Sequence, residues 1–325
     1  MGNLKNVIYE DLKSHIFIEY FYGTDKAFIS EQLIKCREKL FESYGLFNGC
    51  NEIAQKVYDT IKSFPKSNVL YVPVGHKFVD VIKLTIIYIG YDGAMYEPNK
   101  CEVDENGHFK VLSISIDSDL IKSHKKLFGS IMHELMHAYQ DYNLIQKGYS
   151  LKSQMMNYGY YSNNIGQYEN DNIKDMISWL LYYLNGYERS AYVSDIRGQL
   201  EACKKVFNNI SEIVDYIKNT DTYFNYEVIF QYSEQILGVT NADIKKDILK
   251  YANGLTAKKD PNNGKIYGLN NRFPDFKAFA RWLKGRLDSV KRKFETIIPK
   301  IAYEHLKINE ILSPQINGRL VPKNI

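Results

Sequence analysis

Cysteine is scarce in this chain. Its four cysteines, Cys36, Cys50, Cys101 and Cys203, are widely spaced and include no CxxC pair. That spacing excludes a zinc knuckle and a disulfide framework and leaves reduced, partly buried thiols. No run approaches eighteen apolar residues, so no membrane span is expected. The opening Met1-Gly2-Asn3-Leu4-Lys5-Asn6 has no apolar signal segment, so the sequence reads as cytoplasmic, with leaderless export as the other route. The net charge is only +4, which gives no reason to expect a nucleic-acid partner. There is no internal repeat and no low-complexity tract. Tyrosine, by contrast, is abundant at 27 residues, and the 45% hydrophobic and 25% charged content is that of a globular protein able to bury a large core.

Histidine is also sparse, with seven residues in 325. Two of them fall in Ser130-Ile131-Met132-His133-Glu134-Leu135-Met136-His137-Ala138-Tyr139. On a helix, His133 and His137 sit one turn apart on one face, so both imidazoles can reach a single metal ion. Glu134 projects beside that ion, where a carboxylate can take a proton from water. With so few histidines, this H-E-x-x-H arrangement arises by accident in about one chain of this kind in a hundred. The uncharged flanks Ile131, Leu135, Met136 and Ala138 suit a helix buried beside a cleft. The plainer reading is two histidines on an amphipathic helix, satisfied by their neighbours.

Around this stretch the patterning alternates between strand and helix. Residues 5–22 carry two apolar segments, the second β-rich, and residues 26–44 and 51–63 have helical spacing, the latter stopping before Pro65. Strands are expected at 69–74 and 79–89, followed by a hairpin of 97–103 with 108–116 around Asp104-Glu105-Asn106-Gly107. In 111–116 apolar and small polar residues alternate, as on a half-exposed strand. The helix bearing the motif is predicted over 123–145 with Ser123 as N-cap. Residues 147–170 lack periodicity and read as a lid over the cleft or a surface loop. Helices are predicted at 171–184, 187–207, 209–218, 222–236, 241–252 and 275–297. The last is basic on one face (Arg281, Lys284, Arg286, Lys291, Arg292, Lys293), which reads as a solvated face. Its other face, with Phe279, Leu283, Leu287, Val290 and Phe294, packs.

A catalytic zinc generally has three protein ligands and an open position. Positions 140 and 143 are Gln and Asn, so no third histidine follows six residues after the second and the ligand must come from another element. The segment Gly186-Tyr187-Glu188-Arg189-Ser190-Ala191-Tyr192 offers Glu188, with the small Ala191 one turn away where two helices can approach closely. Glu169, Asp175, Asp195 and Glu201 lack the small neighbour. Here the chain resembles the gluzincins, thermolysin-like zinc peptidases whose third ligand is a glutamate downstream of H-E-x-x-H. The likeness covers roughly residues 108–200. It departs from the class where an aspartate often follows the ligand glutamate by four residues. This chain has Tyr192 there, and Asp195 lies two turns from Glu188 on a similar face.

The resemblance implies a zincin-like core, a mixed twisted sheet plus an active-site helix, within an α+β fold, and the helical patterning beyond residue 208 adds a mainly helical C-terminal lobe. The expected division is a catalytic domain over 1–207 and a helical subdomain over 208–325. It further implies one zinc held by His133, His137 and Glu188, with Glu134 as general base for peptide hydrolysis. Tyr192 and Tyr187 are candidates to stabilise an oxyanion, and strand 109–116 to hold an extended peptide. The competing expectation is a non-catalytic binding or regulatory protein on a peptidase-like scaffold. A nucleic-acid-binding helical protein would rest on the basic helix alone.

Overall fold

A computed structural model describes residues 50–88, 93–148, 172–184, 186–203, 205–254, 258–259, 266–267 and 272–316. The expected elements within 5–44 and the 147–170 connection beyond residue 148 lie outside the described residues.

A helix over 50–63 (α1) leads into a mixed sheet. Its strands are β1 (Val69–His76), β2 (Val79–Ile87), β3 (Ala94–Tyr96), β4 (Glu102–Val103) and β5 (Phe109–Asp117). The order is β1-β2-β5-β3, with β4 also paired to β5. β2 and β5 run parallel, with Val81 opposite Val111, and the other pairings are antiparallel. The helices α2 (His124–Ile145), α3 (Asn172–Tyr183) and α4 (Gly186–Glu201) follow. Next come α5 (Ile210–Lys218), α6 (Asp221–Leu237) and α7 (Ala242–Gly254), a small ribbon of β6 (Lys258–Lys259) with β7 (Ile266–Tyr267), and α8 (Phe276–Ile316). The architecture is therefore α+β with a mixed sheet, and no helix among the described residues is long and apolar enough to cross a membrane.

Two apolar cores result. One joins α1, the sheet and α2 through residues such as Ala54, Ile82, Leu112, Ile114, Ile131 and Leu135. The other joins α3 to α8 through Ile177, Ile196, Ile229, Ile248, Phe279 and Val290. The three described cysteines, Cys50, Cys101 and Cys203, are free thiols, and burial pushes Cys50 and Cys101 up to about 12.

Four expectations change. The 97–103 strand is interrupted, because Pro98 opens a short 3-10 turn that leaves only Glu102–Val103 to pair with β5. Gly107 turns this hairpin at φ +77°, and a side chain there would run into Ile145 at the end of α2. β5 is not half-exposed: strands flank both its edges and Ser113 and Ser115 are buried, Ser115 donating to Glu97 at 2.6 Å. With no free edge it cannot pair with a peptide, and the edge strand on that side of the sheet is β3. α4 ends at Glu201, short of 207. α8 runs on through Pro299 to Ile316, because Ile298, Ile301 and Ala302 extend its buried stripe and Glu304 reaches Arg197 of α4 at 2.6 Å.

Candidate metal centre

α2 starts where the Ser123 side chain accepts from the Lys126 N–H, satisfying one of the free donors of the first turn. Leu127, Ile131, Leu135 and Ala138 anchor the helix on the sheet. This fixes its rotation so that His133, Glu134 and His137 are buried on the side facing α4 and β3. Glu188 lies in the first turn of α4, where the helix dipole favours a negative charge.

The two helices cross closely because small residues meet there. A Cβ on Gly198 would come 3.0 Å from the Gly129 Cα and 2.8 Å from Met132 Cγ. Ala191 is fully buried, as expected of a residue at a close crossing.

The crossing brings His133, His137 and Glu188 together as a buried group that can hold a metal ion. The two Nε2 atoms are 3.1 Å apart, and Oε2 of Glu188 is 3.4 Å from His133 Nε2 and 3.5 Å from His137 Nε2. Tetrahedral zinc with ligands at about 2.0–2.1 Å requires donor atoms about 3.3 Å apart. Both Glu188 oxygens are fully buried and make no hydrogen bond. The three donor atoms thus converge on a common point at the spacing an ion requires, and they fit the ion. No fourth histidine, cysteine or carboxylate joins the group among the described residues.

Charge coupling within the group is strong. Burial alone would raise Glu188, but His137 and His133 outweigh it and hold the carboxyl at about 2. Burial alone would lower His133, but Glu188, then Glu134 and Asp195, push it up to about 9. Glu134 is raised by burial, against the opposing pull of His133 and His137.

Three supports around the centre were not legible in the motif. Gln140 presents its amide oxygen to His137 Nδ1 at 3.2 Å. That oxygen only accepts, so the ring proton sits on Nδ1 and Nε2 is left with a lone pair. The Tyr96 N–H of β3 donates to Glu134 Oε2 at 2.6 Å, holding the carboxylate beside the histidines. Asp195 accepts from Gln199 Nε2 (2.9 Å) and Thr222 Oγ1 (2.6 Å), and its charge helps to raise His133. Of these, the Gln140 spacing, three residues after His137, is a signal the sequence carries.

The remaining sequence candidates separate. Tyr192 packs its ring edge-on to His133 at 4.9 Å, and its hydroxyl pairs with that of Tyr183. The side chains of Tyr187 and Asp175, and the whole of Glu169, lie outside the described residues. Glu201 turns to His305 at 3.6 Å. His124 packs against Tyr58 and Phe128, away from the centre. Comparison with known proteins adds no identity, since no family model, curated protein or solved structure matches the chain.

Proposed function

We propose that the protein is a zinc-dependent metallopeptidase of the gluzincin type, built on a zincin-like core, that hydrolyses peptide bonds. The observation that carries this reading is the convergence of His133, His137 and Glu188 with Glu134 beside them. When bound, zinc would supply the Lewis acidity that polarises a substrate carbonyl and acidifies water. His133, His137 and Glu188 would hold it through Nε2, Nε2 and a carboxylate oxygen. Glu134 would take the proton from water and pass it to the leaving amine, one of its oxygens being steadied by the Tyr96 N–H. An extended peptide would add to the sheet at the edge strand β3, whose Tyr96 N–H already reaches Glu134. Tyr192 is the nearest candidate to stabilise an oxyanion, and would have to release Tyr183 to do so.

The experiment is hydrolysis of a mixed quenched-peptide library by zinc-loaded protein beside Glu134→Gln. Cleavage by the wild type that falls at least about a thousandfold in a variant with undiminished zinc supports the reading. Equal cleavage by both, or none by zinc-loaded wild type, counts against it.

A further inference from the structure

The two faces of α4 are held in different ways. The face bearing Glu188 and Gly198 meets α2, at a crossing where a Cβ on Gly198 would come 3.0 Å from the Gly129 Cα. The other side carries Val193, Ile196 and Leu200 into the second core, which Ile298, Ile301 and Ala302 of α8 share. Arg197 follows Glu188 by nine residues, two and a half turns, so it leaves α4 on the side away from the metal centre. There its guanidinium pairs with Glu304 of α8 at 2.6 Å, with only 13% and 9% of the two side chains exposed. Glu201 of α4 and His305 of α8 approach at 3.6 Å beside it. Both α8 partners lie beyond Pro299, and Arg197 is the residue before Gly198, so the buried pair stands at the level of the close crossing.

We propose that α8 beyond Pro299 is a brace for the ligand helix, in which the Arg197–Glu304 pair positions Glu188 by holding α4 against α2 from behind. The proposal rests on the metal-centre reading. Glycines have no side chains to interlock as ridges and grooves, so the crossing with α2 does not by itself fix where α4 sits. The pair does, because a guanidinium fork in a buried site favours one charge-assisted geometry with a carboxylate. Removing either partner leaves the other charge buried and uncompensated, and the helices must part to solvate it. α4 is one continuous helix, so a displacement at Arg197 carries through to Glu188 in its first turn. Neither Arg197 nor Glu304 touches the ion site, and both are positioning residues. Lys300, 3.9 Å from the same carboxylate, partly compensates Glu304 when Arg197 is replaced.

The test reads metal affinity, so turnover does not enter it. Full-length wild type, Arg197→Met, Glu304→Gln, the double variant with both changes, and Ile248→Ala are titrated with zinc against a chelating indicator. The temperature is one at which denaturant curves show each protein folded. Ile248 lies in the same core on α7 and serves as the control for loss of stability alone. The expected result is a zinc affinity lower by about tenfold or more in each single variant. The double variant should lose little beyond either single one, since the two residues act as a unit, and Ile248→Ala should keep wild-type affinity. Arg197→Lys, which retains the charge, should recover part of the loss, and it replaces Arg197→Met if that variant does not fold. Wild-type affinity in the folded single variants overturns the brace. So do losses that add in the double variant, because the residues then act separately, and so does an equal loss in Ile248→Ala. A wild type that takes up no zinc sinks the metal-centre reading and the brace with it. A zinc-binding wild type beside unchanged variants sinks the brace alone.

Discussion

Gly129 and Gly198 meet where the two ligand-bearing helices cross, with only 3.0 Å between the Gly129 Cα and a Cβ built on Gly198. A Cβ on Gly129 would run into Oδ1 of Asp195, which Gln199 and Thr222 hold in place. Gly→Ala inside a helix ordinarily gains about 1 kcal/mol in propensity. Overpacking costs about 1–3 kcal/mol, so G129A and G198A should be net destabilising. The helices would also part, moving Glu188 from the histidines. Denaturant unfolding and a zinc titration check this. Wild-type zinc affinity in both variants would mean that the close crossing does not set the ligand distances.

Gln140 acts on the centre through His137. Q140L should leave the fold intact, because Gln140 lies on the half-buried side of α2. Without the 3.2 Å contact to Nδ1 the ring loses its fixed tautomer and orientation, and zinc affinity should fall about 10–100-fold. Competition against a chelator of known affinity reads the change.

The contrast between these residues shows what one sequence can disclose. His133, Glu134 and His137 are legible because helix geometry makes their relationship local. Glu188 could be picked out only by its small neighbour Ala191 and by the class it resembles. Gly129 and Gly198 carry no such signal, because a close crossing depends on which helices meet and no periodicity shows that. Residues 111–116 read as half-exposed because Ser113 and Ser115 imitate solvent-facing positions. The structure buries both, with Ser115 satisfied by Glu97. The helix predicted over 275–297 runs past Pro299, because the apolar register of Ile298, Ile301 and Ala302 continues its buried face.

Zinc uptake should depend on pH through His133. In the metal-free protein this ring titrates at about 9 against an ordinary 6.5, so at neutral pH an entering ion must displace its proton. Apparent affinity should therefore rise by up to about tenfold per pH unit toward pH 9 and flatten above it. Glu188, at about 2, is already ionised and adds no slope there. The same raised value makes the His133 proton stabilise the metal-free fold fully below about pH 6.5, a contribution lost as pH rises through 9. Calorimetry in two buffers of different ionisation enthalpy should show proton release on zinc binding at pH 7.5. An affinity flat between pH 7 and 9 would contradict this.

The central claim is that three side chains on two helices form one metal site. Its most direct test is the metal content of purified, zinc-supplied protein beside H133A and E188A. About one zinc per chain is expected in the wild type, with loss or sharp weakening in both variants, since each removes one of three ligands. Zinc retained by E188A would move the third ligand elsewhere. No zinc in a folded, zinc-supplied wild type would contradict the account outright.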